Sequence, residues 1–189
     1  MIPSRQWTSE LMAARNMPPH IVRHSRQVRL VSLFVARSLL DAGFAIDMQL
    51  VDRAALLHDI CKADTIRRGG DHALMGRRLM EEFGYRRIGL VIGQHVRLDS
   101  MDVNEAMVVN YSDKRVMHDR VVSLERRFID LMERYGTSEQ SMERILRHFE
   151  QASEVERVLA RASGIEPARL ELLNLVAGNH TFDRGQGFL

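Results

Sequence analysis

The run Ala54-Ala55-Leu56-Leu57-His58-Asp59-Ile60 places the hardest constraint on any fold this chain adopts. No polar residue precedes the His58-Asp59 pair, so burying the apolar segment carries an imidazole and a carboxylate inward with it. A buried carboxylate is costly unless it is ion-paired, hydrogen-bonded or metal-bound. The rest of the sequence must therefore bring partners to Asp59.

Those partners sit on other helices. Helical periodicity dominates the chain, and period-two alternation is nearly absent. Side chains three, four, seven and eight apart share a helix face. By that spacing His24 shares a face with Val28, Val31 and Val35, and His72 with Met75, Leu79 and Phe83. His95 aligns with Ile88, Val91 and Ile92, and Asp113 with Ala106, Val109 and Val116. Any one of these histidines reads most simply as a core residue bonded to a carbonyl. Four histidines and two aspartates on apolar stripes are better explained by one buried metal centre, whose natural ligands are neutral imidazoles and carboxylates. His58 and Asp59, adjacent on one helix, point about 100° apart. At a helix end they can approach one ion, or two ions side by side, from neighbouring directions.

The elements follow from caps and breakers. Expected helices run from about Thr8 to Arg15, from Pro18-Pro19 to about Leu40, and from the Asp47 cap to His58. The segment Asp64 to Gly70 reads as a loop ended by Gly69-Gly70. Further helices are expected from about Asp71 to Phe83 and Arg86 to His95. Beyond a loop through Asp99 and Asp102, an Asn104-capped helix carries Asp113. Helices follow from about Ser123 to Tyr135, from Thr137 with a Thr137/Gln140 capping box, and from Pro167 to Ala177. The expectation is an all-α, compact helical bundle forming one domain over 1–189, with C-terminal helices over about 137–177 and a frayed tail over 178–189.

Composition removes other classes. The net charge of +2 and the aromatic fraction of 6% argue against a polyanion-binding or base-stacking surface, so no nucleic-acid partner is expected. The single cysteine, Cys61, excludes an internal disulfide and favours a reducing compartment. No segment has the apolar length of a signal peptide or of a bilayer span, and the expected setting is cytoplasmic, without membrane contact. Only two of the cations are lysines, Lys62 and Lys114, against twenty-five arginines, and each follows closely on a candidate aspartate.

The order His … His-Asp … Asp resembles the signature of the HD superfamily of metal-dependent phosphohydrolases. It stands here as RHSRQV with His24, LLHDICKAD with His58 and Asp59, and NYSDKRV with Asp113. HDICK is similar to the HDIG-K subgroup, with Cys61 in place of the glycine. The likeness spans roughly Pro19 to Tyr135. It implies the HD-type helical fold with His24, His58, Asp59 and Asp113 around one divalent metal. His72 and His95 match the two histidines with which many relatives bind a second. Val96 stands where binuclear relatives often carry a further histidine, the GYP element of cyclic-dinucleotide phosphodiesterases is absent, and Lys62 stands where one branch of nucleotidases has a glutamate. The expected cofactor is one or two ions of Mn, Fe, Co, Ni or Zn, with Mg also admissible.

The implied activity is hydrolysis of a small phosphate ester such as a nucleotide, by attack of metal-activated hydroxide on phosphorus. Asp59 and Lys62 are the expected catalytic residues, with Asp59 able to bridge two metals. Lys62, one helical turn beyond Asp59, is the first candidate for a phosphate contact, with Arg67, Arg68 and Arg97 as further substrate-binding candidates. Lys114, rotated about 100° from Asp113, is expected to face solvent. Arg23 is expected to face away from the site. His20 is expected to line the pocket or cap a helix, His118 to face elsewhere, and His148 and His180 to lie outside the site. Two alternative functions share the ligand set: a di-iron oxygenase of the HD fold and a non-catalytic nucleotide-binding module.

Overall fold

Side-chain caps start most of the helices. In the computed structural model, which describes residues 1–178, Ser4 accepts from the Trp7 amide at the start of α1 (Arg5–Ala14). The N-terminus of α1 thus lies ahead of the expected Thr8, because Ser4 supplies the acceptor that the first turn needs. Pro18 and Pro19 open α2 (Pro19–Asp41), and Gly43 lies beyond its end with φ 91°. Asp47 caps α3 (Met48–Leu57) through the Gln49 and Leu50 amides, and its own amide donates to Glu105. His58 and Asp59 then sit where α3 stops.

The residues after Asp59 correct one expectation. Where a loop was read over Asp64 to Gly70, the chain forms α4 (Lys62–Arg68) before turning at Gly69 and Gly70, both at positive φ. No residue of α4 is buried, so it has no apolar stripe to betray it. It is held by tertiary contact, through the ion pair of Arg15 with Asp64.

Asp71 caps α5 (His72–Glu82), and α6 (Arg86–Ile92) stops one turn short of His95. Asn104 caps α7 (Glu105–Lys114). A two-stranded antiparallel hairpin follows, β1 (Val116–Met117) and β2 (Arg120–Val121), with His118 at the turn in a left-handed conformation, φ 58°. Then come α8 (Leu124–Tyr135) and α9 (Glu139–Ser163). The cap of α9 is Ser138 paired with Ser141, one residue later than the expected Thr137/Gln140 box, because Ser141 returns the bond to the Ser138 amide. A 3-10 turn (Pro167–Leu172) and α10 (Leu173–Gly178) end the described chain. The expected frayed tail, apart from Gly178, and His180 lie outside the described residues.

The architecture is all-α, with the two-residue strands the only β-structure among the described residues. Helix α2 lies against α3, α7, α9 and the hairpin. Its stripe of Val28, Val31, Val35 and Leu39 is buried in one core with Ala54 and Ala55 of α3 and Val108 and Val109 of α7. Each such Val or Leu stabilises the fold by roughly 1.5–3 kcal/mol relative to exposure. The alanines let α2 and α3 approach closely, and the end of α3 comes beside the N-terminal part of α2, where the His58 and His24 ring centroids are 5.4 Å apart. The C-terminal helices are tied in by a buried polar knot. Arg115 donates to the Val122 and Pro167 carbonyls, the Tyr111 hydroxyl and the Glu156 carboxylate of α9.

Candidate metal centre

Three histidines of this chain are oriented by backbone carbonyls. Nδ1 of His58 lies 2.8 Å from the Ala55 oxygen, Nδ1 of His95 lies 2.6 Å from the Ile92 oxygen, and Nδ1 of His24 lies 2.8 Å from the His118 oxygen. A carbonyl only accepts, so each Nδ1 carries the proton, and in the neutral ring Nε2 is left as a lone pair. All three lone pairs face inward, where those of His24 and His58 meet carboxylates and that of His95 meets the His72 ring and Asp59. Nε2 of His24 is 2.9 Å from Asp113 Oδ1. Nε2 of His58 is 3.4 Å from Asp59 Oδ2 and 3.5 Å from Asp113 Oδ1. Nε2 of His72 and His95 lie 3.3 and 3.6 Å from Asp59 Oδ1, and 3.0 Å from each other.

The six side chains form two adjoining clusters, His24/His58/Asp113 and Asp59/His72/His95, each with its ligand atoms within 4.8 Å of one another. The His58 and His95 rings, 5.0 Å apart, join the two. Asp59 stands between them, one oxygen toward His72 and His95 and the other toward His58 and Lys62. The structure thus brings together His24, His58, Asp59, His72, His95 and Asp113, from α2, α5, α7 and the turns after α3 and α6.

Lone pairs and carboxylate oxygens aimed at one another repel unless a cation lies between them. His58 Nε2 and Asp59 Oδ1 are buried and have no hydrogen-bond partner. They lie on neighbouring residues of the two clusters, where an imidazole lone pair and a carboxylate oxygen without donors mark the place for a positive charge. The donor set of imidazole nitrogen and carboxylate oxygen fits a divalent ion. Without one, the protein meets the same demand with protons. Burial works to lower the pKa of His58, but Asp59 and Asp113 outweigh it and push it up to about 10. Burial likewise works to raise Asp59 and Asp113, yet the histidines hold both well below the usual carboxylate range. His95 is lowered, chiefly by burial.

Cations rim the clusters. Lys62 Nζ lies 2.7 Å from Asp59 Oδ2, and its side chain is 37% exposed while that of Asp59 is 1% exposed, so the ammonium stands at the boundary of the site. Burial lowers the Lys62 pKa, and Asp59 and Asp113 more than restore it. Lys114 corrects an expectation. It does not face solvent but is 7% exposed and donates to the carbonyls of His95 and Asn110. The reason is that α7 is buried nearly all round, so a 100° rotation from Asp113 still points into protein. Burial drops its pKa to about 8.

Arg67 and Arg68 are exposed in the last turn of α4, and Arg97 is exposed two residues after His95. None is drawn into the clusters. Arg23 is exposed and pairs with Asp119, and His20 is exposed. The side chain of His118 does face away, but its carbonyl oxygen is the group that orients His24. His148 lies on α9 yet lines a cavity together with Asp113, Lys114 and Arg127. Sequence reasoning missed Arg127 altogether and set His148 aside. The one signal was that both fall on partly apolar faces, next to Phe128 and Phe149.

A helical bundle that turns imidazole lone pairs and carboxylates onto the same points defines a class: an all-α protein whose clustered histidines and aspartates could hold divalent metal. Within that class the match is specific. The family model of the HD domain covers residues 21–138, from the start of α2 to the cap of α9, and the chain belongs to the HD-domain family. HD domains bind divalent metals and form a superfamily of metal-dependent hydrolases. Neither the search of curated proteins nor that of solved structures returned a match. Among the described residues, no helix is long and apolar enough to cross a membrane.

Proposed function

We propose that this protein is a metal-dependent phosphohydrolase acting on a nucleotide or another small phosphate ester. One observation carries the reading: Asp59 and Asp113 are enclosed by four imidazoles, three of them with their Nδ1 protons committed to backbone carbonyls, and His58 Nε2 and Asp59 Oδ1 are left unpartnered beside Lys62. His24, His58 and Asp113 would hold one ion, and Asp59, His72 and His95 a second. A divalent cation there supplies hydroxide at neutral pH and polarises a phosphoryl oxygen.

The remaining work falls to the chain itself. The carbonyls of Ala55, Ile92 and His118 fix three imidazole planes, so the ligand atoms need no reorganisation. Lys62, tethered by Asp59 yet partly exposed, presents a positive charge to an incoming anion. Lys114 and Arg127 add fixed charge beside Asp113. Such preorganised cations stabilise charge on a phosphoryl group during transfer.

The test is elemental analysis of the purified protein, followed by a phosphate-release screen over nucleotides and small monoesters with manganese, cobalt, nickel or magnesium. Release of phosphate by the wild type and its loss in Asp59→Ala support the reading. Turnover retained by Asp59→Ala removes it. The contiguity of the two clusters favours one other reading, a di-iron oxygenase. Iron after aerobic purification with a mixed-valence paramagnetic signal, and no phosphate release, would select that one.

A further inference from the structure

A cavity of about 120 Å³ opens beside Asp113 between α7, α8 and α9. One water needs roughly 10–15 Å³, so this space accommodates a small ligand. By contrast, an apolar cleft among α2, α7, α9 and the 3-10 turn encloses about 10 Å³, room for one water at most. The walls of the larger cavity divide by chemistry. Phe128, Leu131 and Val96 form an apolar side, and Asp113, Lys114, Arg127 and His148 a polar one.

The polar groups are fixed. Lys114 is more than nine-tenths buried and is held by the carbonyls of His95 and Asn110, which leaves one of its three N–H donors free. Arg127 is clamped by Asp130 at 3.0 Å, and its Nε is buried without a partner. His148 is delivered by α9, whose next residue, Phe149, packs on Phe128 with ring centroids 5.2 Å apart. Its pKa is lowered by burial and then by the positive charges of Lys114, Arg144, Arg147 and Arg97. The acids nearby are committed: Asp130 pairs with both Arg127 and Arg134, and Asp113 lies within reach of His24 and His58.

We infer that this cavity is the anion subsite of the protein, in which Lys114, Arg127 and His148 bind the phosphoryl oxygens of a small ester beside Asp113. It rests on the phosphohydrolase reading for the identity of the ester, though not for the binding of the anion. The apolar wall takes the first carbons of the ester, and a bulkier moiety lies outside. His148 comes from beyond the HD-family match, so α9 makes ligand selection a property of this chain as well as of its family.

Calorimetric titration of the manganese-loaded and the chelator-treated protein with inorganic phosphate tests the inference. Arg127→Gln and His148→Gln, on separate helices, should each weaken phosphate binding about tenfold or more, as expected for loss of a hydrogen bond to a charged group. Manganese content and melting temperature should not change. Arg126→Gln, the same change on the exposed face of α8, should stay within about twofold of the wild type. Phosphate binding equal to wild type in both cavity variants overturns the subsite, as does binding that vanishes on chelation and ignores both variants. Loss of manganese from both variants also overturns it, since the residues would then be serving the metal ligands. Weakened phosphate binding with no ester turned over keeps the subsite and removes the hydrolase reading.

Discussion

The carbonyl oxygen of His118 accepts a hydrogen bond from Nδ1 of His24 at 2.8 Å, so the turn of a two-residue hairpin sets the aim of a ligand on a helix 94 residues away in sequence. The His118 side chain is exposed and its backbone sits at φ 58°, a region that histidine visits and β-branched residues avoid. Its contribution is therefore backbone alone. His118→Gly should leave metal affinity near wild type. His118→Val should strain the turn by about 1–3 kcal/mol and weaken metal binding about 10- to 100-fold, as loss of an orienting partner does. Equal metal affinity in His118→Val and wild type, by competition against a chelating dye, would show that the hairpin does not aim His24.

The two clusters predict separable metal binding. His72→Ala removes a ligand only from the Asp59/His72/His95 group. Saturating metal stoichiometry should fall toward one per chain, with the His24/His58/Asp113 group still loading. His24→Ala should spare the other group instead. Identical stoichiometry in wild type and both variants would contradict two adjacent sites.

The metal-free protein should lose stability as pH rises from 6.5 to 8. His58 is raised in the fold from 6.5 to about 10. It contributes stability that is full below its unfolded value and declines as pH climbs toward the folded one. Lys114, lowered from 10.5 to about 8, acts in the opposite sense, but its contribution grows only above pH 8. His95 and His148, both lowered, act below 6.5. With a divalent ion bound, His58 is already a neutral ligand and the decline should vanish. Melting curves at pH 6.5 and 8, with chelator and with manganese, measure the difference. An unchanged metal-free midpoint would refute it.

Arg115 and Glu156 predict the strength of the α7–α9 joint. Removing Glu156 leaves a guanidinium that is 2% exposed without its counter-charge. Glu156→Ala should cost roughly 3–5 kcal/mol, read from urea unfolding. The double change Arg115→Met with Glu156→Leu should recover part of that loss, because no buried charge remains unpaired. A loss under about 1 kcal/mol in Glu156→Ala would mean that α9 is held by apolar packing alone.

How far the sequence could be read is clearest at Asp59 and Lys114. Asp59 follows an unbroken apolar run, and a carboxylate so placed announces a partner whatever the fold. The same holds for His24, His95 and Asp113 on their stripes, since periodicity reports which side of a helix is buried. The stripe expected for His72 does not hold: Met75 and Phe83 are exposed, and α5 buries Ala73, Gly76 and Met80 instead. Lys114 shows the limit. Rotation around α7 was legible, but the depth of α7 was not, so a lysine off the apolar stripe was assigned to water when it lies against the carbonyl of His95. Helix α4 failed for the converse reason, having no stripe at all.

By itself the sequence determined the helical class, most of the caps and breakers, and the six histidines and aspartates as the candidates for one polar centre, five of them placed by their apolar neighbours. All of these depend on residues a few positions apart. Only the tertiary structure decided that Asp59 stands between the two clusters, that the His118 carbonyl aims His24, and that α9 brings His148 to a cavity beside Asp113. Those outcomes depend on how far one helix lies from another, a distance set by the summed packing of the whole interior that no local spacing encodes.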